Sequence, residues 1–446
     1  MGINKSIFYT FLTQIPVQIL GMISGIFIAR MIGPEGKGVF ALYQANAQIA
    51  VTFLSLSFGN VLSYFIPSGK IKQEKLLGMS VIITLAGFFL IAIFVVLSHY
   101  LNYKSYFFPE RYYDFLYMLW LVMFACLSLV NTVFTGFFQG LKLFGTINRV
   151  LLNNSILNIL FFGAFFLMYY YNLMYVNVQM LLYCLLLITL INATQFLRTF
   201  CKRVRIIPDF NISYTQDIKP LLNFNLYTHL AFVLGFFNNT LSLWVLNAYL
   251  DESAIGLFSL AGNLILIFSV ISSSVGNVLM PSLSGQNAQN KKEMFYTYSR
   301  INFTILLSTG LLGFFLAVPL IPLVYGEEFS GSVLLFHILL PGFLLFCTGR
   351  LYAVFIAAND KQLYNLYSAI VGFVAAILLN YYLIKNYGLI GASIAGSLTY
   401  IILFMAMMYF VHIKLHLPFG NYFFMSFKEI KLYLFKLNLM QKHFKK

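Results

Sequence analysis

Twelve runs of mostly apolar residues, each long enough to cross a bilayer, leave this chain few ways to fold. A helix needs about 20 such residues to span the hydrocarbon core. The runs fall at roughly 7–32, 39–66, 77–100, 113–138, 150–171, 174–197, 220–248, 254–280, 298–324, 332–358, 363–385 and 389–412. Only 9% of the residues are charged, where a soluble domain carries about 25%. With 60% hydrophobic residues and a mean hydropathy of +0.84, the chain cannot clothe itself for water. It reads as an all-α, polytopic membrane protein.

The net charge of +15 does not point to nucleic acid, because the cations collect in short loops and at the C-terminal end. The most basic stretch, RTFCKRVRIIPDFNISYTQDIK (198–219), lies between spans 6 and 7. Arg198, Lys202, Arg203, Arg205 and Lys219 outweigh Asp209 and Asp217 there, and Pro208 with its Asn/Ser neighbours ends any long helix. Cations beside membrane segments resist translocation. Placing both termini and this loop on the cytoplasmic side puts 22 of the 28 Lys and Arg inside. Only Arg30, Lys37, Lys104, Arg111 and Lys385 then lie outside, with Arg350 inside a span. The first apolar run shows no small-residue cleavage pattern, so no cleavable signal is expected. Cys126, Cys184, Cys201 and Cys347 are scattered without metal-ligand or CxxC spacing, and neither metal nor cofactor is expected.

An internal repeat divides the chain. Gly38-Val39-Phe40-Ala41-Leu42 followed by Gly59-Asn60-Val61-Leu62 is echoed by Gly256-Leu257-Phe258-Ser259-Leu260 and Gly276-Asn277-Val278-Leu279, in the same order and one residue closer. The expected organisation is two pseudo-symmetric six-helix lobes around a central cavity, related by an axis along the membrane normal. Residues 1–200 form the first lobe, 201–219 a basic cytoplasmic connector, 220–414 the second lobe and 415–446 a tail. In the tail, Phe427, Ile430, Leu434 and Leu437 share a helical face opposite Lys428 and Lys442, the pattern of a basic amphipathic helix on an anionic leaflet.

Polar residues inside the spans form stripes. Span 1 aligns Thr10, Gln14, Gln18, Gly21 and Gly25, and span 2 aligns Gln44, Gln48, Thr52, Ser55 and Gly59. Span 7 aligns Asn225, His229, Phe232, Phe236 and Asn239, and span 8 carries Ser269 and Ser272 to Ser274. Such stripes either glue helices together or face a watery cavity. Arg350 lies about eight residues from its helix end, roughly 12 Å deep at 1.5 Å per residue. It must snorkel or face protein, water or a ligand. Arg30 and Arg149 sit at helix ends, where they meet headgroups or a ligand. All thirteen acidic residues fall in loops or at span ends. The membrane interior is therefore cationic or neutral, which suits an anionic headgroup such as a diphosphate.

Three segments resemble a known family. FIARMIGPEGKGVFALYQ (27–44), DIKPLLNFNLYTHLAFVLGFFNNT (217–240) and LNYYLIKNYGLIGASIAGSLTY (379–400), with its Tyr387-Gly388 and Gly391-Ala392, are similar to polysaccharide flippases of the Wzx type. These belong to the multidrug/oligosaccharidyl-lipid/polysaccharide exporter superfamily. The resemblance implies a V-shaped transporter of twelve helices that opens to one side of the membrane at a time. The implied cargo is an undecaprenyl-diphosphate-linked oligosaccharide, flipped from inner to outer leaflet of a bacterial cytoplasmic membrane for O-antigen or capsule. Polyprenyl-linked glycan and membrane lipids are the implied partners, with a polysaccharide polymerase and chain-length machinery downstream. Many relatives carry an Asp late in helix 7, where this chain has Asn238-Asn239-Thr240-Leu241-Ser242. That departure argues against carboxylate-based cation coupling there.

The expected substrate-binding set is Arg350, His229, Arg30, Arg149, Gln14, Gln18, Gln44, Gln48, Asn225 and Asn239. A cation-coupled multidrug exporter is the alternative, but it calls for a membrane carboxylate. A membrane polymerase calls for a large outer loop, and the outer loops here are short. No catalytic motif appears, so no enzymatic activity is expected. The topology has a direct check. A cysteine replacing Asn211 should stay unlabelled by an impermeant maleimide in intact cells and react once they are permeabilised; labelling in intact cells would invert the orientation.

Overall fold

The computed structural model describes residues 3–100, 115–283 and 287–417, without the side chains of 3–14, 98, 99, 223, 224, 228 and 281. The proposed tail helix at 427–437 and most of the outer loop at 99–114 lie outside the described residues. Eleven α-helices follow in order: α1 (Ile3–Leu54), α2 (Phe58–Ser68), α3 (Gln73–Tyr100), α4 (Phe115–Gly140), α5 (Phe144–Tyr170), α6 (Val178–Arg203), α7 (Lys219–Tyr249), α8 (Glu252–Leu283), α9 (Ala288–Tyr325), α10 (Gly331–Ala358) and α11 (Gln362–Tyr409). Ten of the described helical stretches are long and apolar enough to cross a membrane. Two of these turn back on themselves, α1 at Gly33 (φ 62°) and α11 at Gly388 (φ 55°), so the described helices are arranged for twelve crossings. Spans 3 to 10 correspond to α3 to α10. No strand occurs among the described residues. The chain is a multi-pass, all-α membrane protein.

Both reversals need glycine for a stated reason. Positive φ is costly for a residue with a Cβ, and Gly391, three residues past the second turn, leaves no room either: a Cβ there would fall 2.0 Å from the Leu383 carbonyl oxygen. The motif at 379–400 is thus a tight helical hairpin.

Span 2 departs from the continuous helix expected over 39–66. It breaks between Leu54 and Phe58, with Leu56 (φ 46°) and Ser57 (φ 49°) in the left-handed region. Ser55 and Ser57 compete locally for backbone partners, and Ser55 Oγ donates to the Thr52 carbonyl at 3.2 Å. Span 9 is longer than its apolar run, because Asn287 caps a polar first turn by accepting from the Asn290 amide at 2.8 Å.

The buried apolar residues separate into clusters belonging to one lobe or the other. Tyr43, Trp120, Phe162 and Leu181 centre the first lobe, and Trp120 Nε1 donates to the Leu182 carbonyl at 2.6 Å. Phe58, Phe137, Phe138 and Phe200 fill its connector end. In the second lobe Phe258, Leu339, Phe343 and Tyr400 pack together, joined by Ala29 and Leu42 of α1. The connector is clamped to the first lobe. Lys75 Nζ pairs with Asp217 at 2.8 Å, and the Asp209 amide donates to the Glu74 carbonyl at 2.9 Å.

The lobes meet where the repeat begins, at the glycines it aligns. A Cβ on Gly38 would fall 1.9 Å from the carbonyl oxygen of Glu252, four residues before Gly256. A Cβ on Gly256 would fall 1.8 Å from that of Pro34, four residues before Gly38. The contact is reciprocal, as a two-fold axis between α1 and α8 requires. Small residues let two backbones approach this closely in lipid, where there is little hydrophobic force between helices. Gly21, by contrast, has nothing within 4 Å of a Cβ. Gly38→Ala and Gly256→Ala should each cost about 1–3 kcal/mol by overpacking, while Gly21→Ala should be neutral. Thermal unfolding of the detergent-solubilised variants reads this out, and a Gly256→Ala protein that melts like the parent would contradict the tight seam.

Candidate functional site

Arg350 lies on α10 and lines a cavity of about 320 Å3 with Ser272, Ser273, Gly276, Asn277, Met280 and Val354. Three features of the sequence bring these together. The serine run of α8 puts both Ser272 and Ser273 in the wall, Ser272 Oγ donating to Asn302 Oδ1 at 3.0 Å and Ser273 Oγ to the Ser269 carbonyl at 2.7 Å. The repeat motif Gly276-Asn277 supplies a side-chain-free surface beside an uncovered amide. Arg350 itself is uncovered by protein, and among the described residues no carboxylate or hydrogen-bond acceptor reaches its guanidinium. Five fixed N–H donors in a plane therefore stand available over a polar wall.

The other expected residues divide by role. Gln48 and Gln18 are uncovered and Gln44 is half-buried, while Thr52 and Ser55 of the same stripe are buried. Gly59 faces Gly136 of α4, whose own Cβ would fall 2.5 Å from it. The stripe of span 2 thus changes role along its length, open above and packed below. Gln14 lies on α1, but its side chain is outside the described residues. Arg149 is uncovered near the connector end of α5.

Arg30 is already engaged: Nε donates to the Val324 carbonyl at 2.9 Å and Nη2 to that of Leu323, at the end of α9. These are last-turn carbonyls, where a helix welcomes a cation. Asn239 accepts from the Tyr400 hydroxyl at 3.1 Å and donates to the Gly235 carbonyl at 2.8 Å. Asn225 Nδ2 donates to the Leu56 carbonyl freed by the break in span 2, and His229 Nδ1 lies 3.1 Å from Ser57 Oγ. In this conformation Arg30, Asn225, His229 and Asn239 hold protein to protein, away from the Arg350 cavity.

Sequence reasoning missed several participants. Asn277 was legible only as a repeat marker. Asn46, which accepts from Trp244 Nε1 at 2.7 Å across the lobes, sits off the stripe of span 2. Ser57 matters through a backbone break that apolar periodicity does not report. Side-chain bonds, Asn192 Nδ2 to Asn154 Oδ1 at 2.8 Å and Ser242 Oγ to Asn380 Oδ1 at 2.7 Å, stitch helices within each lobe.

Comparison with known proteins follows the same lines. Residues 3–287 match a family described as polysaccharide biosynthesis protein. The chain is similar to "Capsular polysaccharide biosynthesis protein CapF" of Staphylococcus aureus, 24% identical over 45% of this chain and 53% of that protein, about half its length. It is similar to "Probable low-salt glycan biosynthesis flippase Agl15" of Haloferax volcanii, 21% identical over 86% of this chain and 77% of that one. In fold it resembles the lipid II flippase MurJ in an inward closed conformation (TM-score 0.68, 17% identity, 91% of this chain and 87% of that chain). It also resembles an inward-facing multidrug resistance MATE family transporter (TM-score 0.72, 15% identity, 90% and 94%).

The cavity can be probed without a substrate. In a variant lacking the four native cysteines, Asn277→Cys should react with a water-soluble maleimide on the order of tenfold faster than the buried Asn302→Cys, because only a hydrated thiol ionises readily. Equal rates would mean that water does not reach the Arg350 wall.

Proposed function

Since the chain belongs to the polysaccharide biosynthesis protein family, we propose that it flips a polyprenyl-diphosphate-linked oligosaccharide across the bacterial cytoplasmic membrane by alternating access. The two lobes, 1–200 and 220–414, rock about their seam, with 201–219 as a cytoplasmic connector and the tail at the inner surface. The cation bias supports cytoplasmic termini. In that orientation the Gly38/Gly256 seam lies at the outer end, and the inner half of α1, with open space around Gly21 and Gly25, borders a cleft facing the cytoplasm. The flipped unit passes to a polymerase and its chain-length machinery.

The observation that carries this reading is Arg350. Its charge faces a polar cavity with no described carboxylate to neutralise it. A cation at membrane depth that protein leaves uncovered calls for compensation, and a diphosphate supplies two acceptor groups for a guanidinium fork. Asn277, beside it, offers amide donors to phosphate or sugar oxygens, while Gln18, Gln44 and Gln48 meet the sugars from the opposite lobe. The polyprenyl chain stays in lipid. A cationic drug finds no such partner at this wall.

Hydrogen bonds to charged groups contribute about 1.5–3 kcal/mol each, so loss of the fork should be visible in flux. In a strain whose own copy is deleted, Arg350→Gln should lower surface polymer by on the order of tenfold or more at normal protein level. Arg350→Lys, which keeps charge but not the fork, should restore part of it. Full polymer from Arg350→Gln would leave this residue as a snorkelling anchor and remove the proposed diphosphate site.

A further inference from the structure

Span 2 and α3 run side by side and close on each other at Gly87, where a Cβ would fall 2.8 Å from Leu129 Cδ1 of α4 and 3.6 Å from Leu54 Cβ. On either side of this pinch the helices part and leave a cavity. The one toward the connector holds about 240 Å3, among Phe58 and Val61 of α2, Met79 and Ile82 of α3 and Leu221 and Leu222 of α7. The far one holds about 300 Å3, among Ile49, Ala50 and Phe53 of span 2, Leu90 and Phe94 of α3 and Leu121 of α4. Each wall contains a single polar side chain, and each of these is engaged elsewhere: Asn225 donates to the Leu56 carbonyl, and Asn46 accepts from Trp244 Nε1. The rims are open, with Ile82 46%, Leu222 49% and Leu90 53% exposed. An apolar hollow of this kind stays dry and takes up hydrocarbon.

The setting says which hydrocarbon. The connector-end cavity has walls from both lobes, so it borders the junction between them. A chain tied to a headgroup in the cleft must leave through such a junction. On the other side, α1 and α8 close to backbone contact at Gly38 and Gly256. Here the first lobe meets α7 through side chains, among them Phe53 and Phe237 with ring centroids 5.9 Å apart. The depth also fits. Asn225 lies six residues past the start of α7, about 9 Å along the helix, and Arg350 about 12 Å from the same end of α10. Two exposed cations, Lys72 just before α3 and Lys219 at the start of α7, stand at the mouth and complement an anionic diphosphate.

We propose that these two cavities form a track for the head-proximal part of the cargo's prenyl chain; the cargo's identity rests on the flippase reading above. The chain stays on the lipid side of the protein, but in a built groove rather than in bulk lipid. A headgroup that changes leaflet needs apolar cover for its chain at two depths, and the cavities stacked about Gly87 supply both. The connector-end cavity takes the chain while the headgroup is loaded, and the far one takes it as the headgroup leaves. Bulk in either cavity therefore blocks transport without touching the Arg350 wall.

The test places the photoreactive residue p-benzoylphenylalanine at Leu222 or Phe94, one in each cavity, and at Leu85 or Ile19, which are exposed on α3 and α1 outside both. The full chain sits in nanodiscs of phosphatidylethanolamine and phosphatidylglycerol with an alkyne-tagged farnesyl diphosphate. Light should yield about fivefold more adduct at Leu222 and Phe94 than at Leu85 and Ile19, and untagged farnesyl diphosphate should displace it. Equal yields at all four positions, or an alkyne-tagged phosphatidylglycerol captured in the cavities as readily, would make the groove an ordinary lipid-facing surface and overturn the proposal. In cells, Ala50→Phe and Leu222→Trp fill one cavity each, so that one variant failing to fold leaves the other. Each should lower surface polymer on the order of tenfold at normal protein level, and Leu85→Phe should not; full polymer from either well-folded filling variant also overturns the track. If the probe is captured in both cavities while Arg350→Gln makes full polymer, the diphosphate reading fails and the track stands. If Arg350→Gln loses polymer and the probe is captured in neither cavity, the track fails and the flippase stands.

Discussion

Hydrocarbon offers a peptide group nothing to bond to, and the whole architecture follows from that. Every amide in the spans must be satisfied by its own helix or by a neighbour placed for the purpose. The spans are therefore long helices, and the break in span 2 has a visible provider. At Gly33 and Gly388 the chain reverses through conformations open to glycine. Between Leu54 and Phe58, deeper in the protein, the freed Leu56 carbonyl is met by Asn225 from the other lobe. An irregularity that would be untenable in lipid becomes a place where one lobe registers the position of the other.

The same shortage of partners gives the polar residues their meaning. Within a lobe, amides pair with amides or with hydroxyls, as Asn154 does with Asn192 and Asn239 with Tyr400. Between lobes, a few bonds and one glycine seam hold the present arrangement. At the Arg350 wall the accounts do not close within the protein. Arg350 differs from the paired amides in carrying a full charge at a cavity, with no acceptor among the described residues.

The fold was largely legible in the sequence. Long apolar runs fix the crossings, and the Gly38/Gly256 and Gly59/Gly276 echoes announced two related lobes. The site was legible only in part. Arg350 stands out because a charge deep in a span is costly whatever surrounds it. The glutamine and asparagine stripes did not declare their role, since the same periodicity serves glue and cavity; Thr52 and Ser55 are buried while Gln48, on the same face, is open. Ser57 and Asn46 escaped notice because their roles depend on which lobe stands opposite, a long-range fact that local patterning does not encode. Arg30, read as a ligand for cargo, is bonded in this conformation to the end of α9 for the same reason.

The reciprocal contact of Gly38 with Gly256 reaches back beyond this molecule. Equivalent residues facing each other across a two-fold axis form an isologous interface, the kind by which two identical chains make a closed pair. A half-length ancestor bearing one such glycine could have dimerised through it, and a single position would then have guarded both sides of the joint. Fusion of two such copies into one chain would end that economy. The two glycines now sit in separate stretches of one gene, free to drift apart, and each is held small by the backbone of the other.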